Sequence, residues 1–310
     1  MGAVLFVGID VSKDRLDVHV RPSDEAFAVA RDGEGLAGLL ERLAVLKPHL
    51  VLLEATGGFE TVVVAALASA KQPVVVVNPA QIRAYARSLG QKAKTDPIDA
   101  AIIARFGETQ KPEIRPIPNE DTLLLGDLVA RRRQIIQMIV AEKHREKRAN
   151  TTLKRSIAQL LKALQKALTA IDQEIDTTVR GSPAWREKED LLVSVPGVGS
   201  IVARTLIAEL PELGTLSRHK IASLAGLAPY TQKSGKWCGK SFIAGGRGPV
   251  RSALFLAALS ASRFNPQLRA LHQRLIAKGK AKKLALIAVA RKLLTVLNAI
   301  IRTKTPWQCA

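Results

Sequence analysis

The sequence predicts an α/β domain joined to an all-α remainder. Three observations carry that reading. Residues 4–90 alternate short, β-branched apolar runs with segments of helical spacing, the mark of strands crossed by helices. From Asp121 to Val179 there is no proline and a single glycine, Gly126, so helix should run on at unusual length. Residues 184–310 then string apolar helical stretches between glycine-containing turns. The expected division is a mixed-sheet domain over 1–116, a helical arm over 117–183 and a helical domain over 184–310.

In the first domain, VLFVGIDVS (4–12) reads as a buried strand, RLDVHVRP (15–22) as its hairpin partner and EAFAVARD (25–32) as a third strand. GLAGLLERLAVL (35–46) has helical spacing. LVLLEATGG (50–58) is a second fully apolar strand ending on Glu54, followed by a helix over 59–70. PVVVVNPAQ (73–81) is a third such strand, and the helix over 80–90 stops at Gly90. Three meandering strands followed by strand–helix crossovers give a mixed sheet with helices on both faces. That is the strand order of the ribonuclease-H-like nuclease and transposase fold, in which acids from the first strand, the fourth strand and a late helix converge.

Acids stand at those places. Asp10 and Glu54 end strands that are otherwise apolar, and a charge there needs a partner or a metal. In KTDPIDAAIIARF (94–106), Asp96 and Asp99 lie three apart, on one face of a beginning helix. Each has a structural alternative: Asp96 as N-cap with Pro97 and Asp99 following, Asp10 as the opener of a turn, Glu54 as a helix cap. Four acids at matching places favour a divalent site instead, with two Mg²⁺ expected and Mn²⁺ as a substitute, clamping a phosphodiester.

Along the arm, Leu153, Ile157, Leu160, Leu164, Ala167 and Ile171 step by four and three, the spacing of a coiled coil. Asn150-Thr151-Thr152 predicts a break, so two helices form a hairpin, packing on their own domain or on a second chain. Residues 131–155 hold nine Lys and Arg and two Glu. Of these, Arg131, Arg132, Arg133, Lys143, Arg145 and Arg148 are candidates for phosphate contact, which positions nucleic acid without reading it.

In the third segment, Pro196-Gly197-Val198-Gly199 between helical stretches resembles a helix-hairpin-helix, with Gly197 and Gly199 letting backbone amides approach a phosphate. Ser234 lies in a polar loop with Lys233, Lys236 and Lys240, and Gly245-Gly246-Arg247-Gly248-Pro249 opens an apolar helix. A hydroxyl among cations beside a helix N-terminus suits attack on a phosphate; spacing alone does not separate Ser234 from Ser241.

Composition agrees. The chain has 310 residues and a formal net charge of +20, which points to a polyanionic partner. Aromatics are 4%, so the core is aliphatic. The two cysteines, Cys238 and Cys309, lack metal-ligand spacing and fit a reducing cytoplasm. No uninterrupted apolar run reaches membrane-spanning length, and the N-terminus lacks the pattern of a signal peptide, so no membrane is expected.

Taken together, GIDVSK, LLEATGG, KTDPIDA, PGVG, AELPELG, LAGLAP, SGK, GGRGPVRSAL and RKLLTVLNAI resemble, in order and over nearly the whole chain, the DEDD (Piv-type) transposases of insertion-sequence family IS-110. The resemblance implies a RuvC-like domain, a coiled coil and a transposase domain with a serine nucleophile. Asp10, Glu54, Asp96 and Asp99 match the acidic tetrad and Ser234 the serine, which the family is thought to link covalently to DNA. It also implies target and donor DNA as substrates and an element-encoded bridge RNA as guide. A dimer or tetramer is implied too, with active sites composed from two subunits, in a bacterial or archaeal cytoplasm. Two other readings compete: a hydrolytic RuvC-like nuclease, and a non-catalytic basic scaffold for nucleic acid.

Overall fold

The computed structural model describes residues 4–91, 95–114, 120–231, 233–234, 237–239 and 241–308. The chain forms two compact units, Met1–Ile117 and Pro118–Ala310.

The first unit is a five-stranded sheet with helices on both faces. Its elements are β1 (Phe6–Val11), β2 (Arg15–Arg21), β3 (Glu25–Ala30), α1 (Gly33–Leu46), β4 (Leu50–Glu54), α2 (Glu60–Ser69), β5 (Val74–Val77), α3 (Pro79–Ser88) and α4 (Asp96–Gln110). The strand order is β3-β2-β1-β4-β5. β1, β2 and β3 are antiparallel, whereas β1, β4 and β5 are parallel, as hairpins followed by helical crossovers require. Strand alternation sorts the side chains into two cores. Val7, Ile9, Val11, Leu16, Val18, Val20, Val51 and Leu53 meet Leu39 and Leu43 of α1 and Val63 and Leu67 of α2. On the other face, Phe6, Leu50, Leu52, Val75 and Val77 meet Ile82 of α3 and Ile102 and Ile103 of α4.

The second unit is helical: α5 (Glu120–Glu146), α6 (Thr151–Gly181), α7 (Pro183–Val193), α8 (Ser200–Glu209), α9 (Arg218–Leu224), α10 (Gly248–Phe264), α11 (Pro266–Ala277) and α12 (Lys282–Thr303). Between α9 and α10 lie four two-residue strands, β6 (Pro229–Tyr230), β7 (Lys233–Ser234), β8 (Trp237–Cys238) and β9 (Phe242–Ile243). The break predicted at 150–152 is present: Asn150 caps α6 by accepting from the Leu153 amide at 3.0 Å. α5 and α6 pack on each other. One end of the pair enters the unit's core through Leu125, Leu128, Val129, Ile175 and Val179, while Leu153 and Leu160 remain exposed.

α12 qualifies the membrane expectation. Its 22 residues have the length and composition of a membrane-crossing helix. In this unit it is the central core helix, with Ala285, Val289, Leu293, Leu294, Leu297 and Ile300 buried, and a helix covered on several sides is apolar for that reason. Its one buried amide is satisfied: Asn298 accepts from the Gly214 amide at 2.8 Å and donates to the Leu216 carbonyl at 2.9 Å.

Candidate functional site

The register of the first sheet sets Asp10 and Glu54 side by side. Ile9 pairs with Leu53 in the parallel β1–β4 ladder, so the next residue on each strand is the acid at its end. Alternation turns Asp10 to the face of Gly8, and Glu54 to the face of Leu52, which is the face α4 covers. α4 comes unusually close there. A Cβ on Gly8 would lie 2.3 Å from the Ala104 nitrogen and 2.4 Å from the Ala100 oxygen; one on Gly107 would lie 2.3 Å from a Leu52 methyl. The two glycines let the helix seat on the strands, and the seated helix begins with Asp96 and Asp99.

Asp10 feels the other acids. Burial, then the charges of Asp99, Asp96, Glu54 and Asp17, push the Asp10 carboxyl up to about 6. Among the described residues, no three His, Cys, Asp or Glu are grouped closely enough to hold a metal ion. The carboxylates thus share a field without sharing a coordination sphere.

Other residues hold the turns and the helix entry beside these acids. The β1–β2 turn is held by Ser12, whose hydroxyl donates to the Arg15 carbonyl at 2.8 Å and accepts from the Arg15 amide at 3.2 Å. The loop after β4 is tied by Glu60, which accepts from the Thr56 and Gly58 amides and the Thr56 hydroxyl. α4 is entered through Thr95, in extended conformation, so Asp96 is its first helical residue and not its N-cap.

Two residues of the site went unread in the sequence. Asp17 pairs directly with Asp10 across the β1–β2 ladder and is 4% exposed. Arg15 grips it through Nε at 3.0 Å and Nη2 at 2.7 Å. The signal was available: a tight turn at 12–15 fixes the hairpin register, and the register puts 17 opposite 10.

The second unit carries the serine. β6 pairs with β9 (Tyr230 with Phe242), and β7 with β8 (Ser234 with Trp237), so Ser234 is the last paired residue before the turn of a hairpin. It is exposed. Ser241 lies lower on the hairpin, its hydroxyl 3.3 Å from that of Thr231. Lys236 lies outside the described residues, as do Gly235 and Lys240.

Several basic candidates turn out to be committed within the protein. Arg132 pairs with Asp172 of α6 at 2.5 Å, Arg133 with Glu209 of α8 at 2.6 Å, and Arg145 with Glu142. Arg131 donates to Gln134 at 3.1 Å. Arg247 chelates the Glu212 carboxylate, at 2.7 Å from Nη2, and also donates to the Glu209 carbonyl at 3.0 Å. Acids distant in sequence claim the guanidinium groups of Arg132 and Arg133, and Glu212 and the Glu209 carbonyl claim that of Arg247, which a run-length reading of charge does not see. Gly197 is likewise spent on packing: its φ is +100°, and a Cβ would lie 2.5 Å from the Ala261 backbone of α10. Lys143, Arg148 and Gly199 remain exposed.

Comparison with known proteins adds to this geometry. A transposase family model, DEDD_Tnp_IS110, matches residues 7–153, and the model of the transposase IS116/IS110/IS902 family matches residues 189–273. The pilin gene-inverting protein of Moraxella bovis is 28% identical over 97% of this chain and 97% of its own length. An uncharacterized 43.6 kDa protein of insertion element IS110 from Streptomyces coelicolor is 32% identical over 48% of this chain and 36% of its own. Among solved structures, T. thermophilus RuvC in complex with a Holliday junction substrate is 18% identical and covers 35% of this chain and 96% of that one. Its TM-score is 0.26, so the strand order, and not this likeness, carries the fold.

Proposed function

The chain belongs to the IS110 family of transposases and is a DNA recombination enzyme; on that premise we propose that it cuts and rejoins DNA through an acidic site on the first unit and Ser234 on the second. The observation that carries the reading is the β1–β4 register, which sets Asp10 beside Glu54 on the sheet face against which α4, beginning with Asp96 and Asp99, is seated. Burial and neighbouring carboxylates disfavour the ionised form of Asp10, a cost that a bound cation would relieve, and an all-oxygen donor set suits a hard dication.

Asp10, Glu54, Asp96 and Asp99 would hold divalent ions, Mg²⁺ in the cell with Mn²⁺ able to replace it. Bound there, two such ions supply positive charge to the scissile phosphate and its attacking and leaving oxygens. Asp96 is exposed and the other three are partly so, which leaves a phosphodiester room to enter. The Ser234 oxygen attacks phosphorus, its proton passes to solvent, and the displaced DNA oxygen leaves as a hydroxyl. The new phosphoserine bond conserves the energy of the broken one. A DNA hydroxyl then attacks that bond and releases Ser234, so joining needs no nucleotide triphosphate.

Lys143, Arg148 and the other exposed cations of α5 and α6 support contact with phosphate backbones. The exposed Leu153 and Leu160 support pairing with a second copy, in a dimer or tetramer whose acids and serine come from different subunits. A bridge RNA encoded by the element would choose the target and donor DNA by base pairing.

The test combines the full-length protein, its element's RNA, both DNA sites and Mg²⁺, and looks for a protein–DNA adduct on a denaturing gel. The adduct is expected with wild type and with Ser241→Ala, and absent with Ser234→Ala. Nicked DNA with no adduct in any variant would replace the recombinase by a hydrolytic nuclease. Tight RNA binding with no cleavage would leave only a scaffold.

A further inference from the structure

The hairpin that carries Ser234 also carries three exposed aromatic rings. Tyr230 and Phe242 are cross-strand partners, stacked with centroids 5.9 Å apart and planes 21° from parallel, and they are 51% and 49% exposed. Trp237, opposite Ser234, is 57% exposed. The whole chain has only seven Phe, three Trp and two Tyr, so three open rings within 229–243 are a concentration. Burial explains none of them. Ile243 turns into the unit's core, and Phe242, its neighbour in the alternation, turns out.

The base beneath the rings is fixed. Gly226, Gly245 and Gly246 have φ of +69°, +63° and +64°, and a Cβ on Gly246 would lie 2.2 Å from the Gly226 nitrogen. Arg251 donates to the Gly245 carbonyl at 2.6 Å, and the Arg247 amide to the Leu224 carbonyl at 2.9 Å. Rings held on such a base lose little freedom when something stacks on them.

Charge says what stacks. Glu212 is the last acid in the sequence: residues 213–310 hold eighteen Lys and Arg and no Asp or Glu. Lys233, Lys236 and Lys240 fall between Tyr230 and Phe242 in the sequence. An apolar protein surface would gain nothing from that setting. A flat, apolar group attached to a polyanion gains from both the rings and the cations, and that describes a nucleobase.

We propose that Tyr230, Phe242 and Trp237 form a stacking platform for unpaired DNA bases next to Ser234. The platform holds the strand where base pairing has opened, and so presents its backbone to the serine. The inference rests on the reading of the protein as a DNA recombinase, but not on the covalent chemistry of Ser234. The bland alternative is that Tyr230 and Phe242 merely stabilise a short ladder.

The test uses full-length protein without divalent cation, so that phosphoryl transfer is silent. Single-stranded DNA carrying 2-aminopurine is titrated with protein, and a fully paired duplex is titrated in parallel. Wild type should bind the single strand with quenching of the probe. The Tyr230→Leu/Phe242→Leu double variant and Trp237→Leu keep apolar bulk and remove stacking. Each should bind the single strand about 5- to 100-fold more weakly, with the duplex affinity and the salt slope unchanged. Unchanged single-strand affinity, or an equal loss on duplex, overturns the platform. Because a variant hairpin can misfold, wild type is also photocrosslinked to DNA bearing 5-iododeoxyuridine. Crosslinks at Tyr230, Phe242 or Trp237 are expected, and crosslinks confined to other residues overturn the proposal. Failure of the adduct assay above leaves this result standing, and the reverse holds too.

Discussion

The acidic end of the first sheet and the serine hairpin of the second unit handle charge in opposite ways. Around Asp10 the fold brings the charges of Glu54, Asp96, Asp99 and Asp17 to bear, and Arg15 pairs with Asp17. Around Ser234 the sequence has exhausted its acids, and the last, Glu212, is already taken by Arg247. The first region concentrates carboxylates, and the sequence of the second concentrates cations. On the reading proposed above, divalent ions would complete the first and phosphates the second. A site poised in this way gives up stability for function, and that trade can be measured.

The largest expected effects remove one side of the contrast. Asp10→Asn should lower strand cutting by at least about 100-fold, measured as adduct or nicked DNA in Mg²⁺, because on the proposed reading it removes a metal ligand from the acid group. Gly8→Ala should cost about 2–4 kcal/mol by thermal or denaturant unfolding, since its new methyl meets the α4 backbone and not a movable side chain. Gly197→Ala should cost a similar amount in the second unit, where the methyl meets α10 and the left-handed φ adds strain.

A smaller effect comes from titration. Folding raises the Asp10 carboxyl from 3.8 to about 6, so between those values the folded state holds a proton that the unfolded state releases. Stability of the metal-free protein should therefore fall as pH rises from about 4 to about 6, and level off above. The change should be about 1 kcal/mol once solvent screening of a half-exposed group is allowed for. Asp10→Asn should flatten that stretch of the profile, and its metal-free melting temperature at pH 7 should exceed that of wild type. Added Mg²⁺ should raise the melting temperature of wild type at pH 7, less at pH 5, and little in Asp10→Asn.

The smallest effects sort the cations. Lys143→Gln and Arg148→Gln should each reduce the salt slope of nucleic-acid binding by about 1, as exposed phosphate contacts do. Arg132→Gln should leave the slope unchanged and cost about 0.5–1 kcal/mol of stability, because its guanidinium belongs to Asp172.

Much of the first unit was legible because its signals are local. FVGIDV and LVLLE are apolar runs that end on an acid, and period-two alternation assigns each residue a face. The hairpin and crossovers then admit few topologies, and the observed order is the expected one. What escaped depends on contacts between distant segments. Gly8 reads in the sequence as one more small residue in a strand; only α4, arriving ninety-odd residues later, shows why nothing larger fits. Arg132, Arg133 and Arg247 look like free charge until Asp172, Glu209 and Glu212 are folded against them. The entry to α4 shifted by one residue because Thr95 and Asp96 are both acceptable caps, and only the extended backbone at Thr95 decides between them.

The pairing of Arg247 with Glu212 reaches beyond the residues it joins. Past Glu212, the 98 residues of 213–310 carry charged side chains of one sign only, and acids from earlier in the chain, such as Glu212 for Arg247 and Glu187 for Lys304, relieve only part of their mutual repulsion. A nucleic-acid partner of the kind proposed above would then be more than cargo: it would supply anionic charge to this part of the molecule. An enzyme stripped of nucleic acid and kept in dilute buffer should soften at a lower temperature than the same enzyme bathed in salt or wrapped in any long polyphosphate.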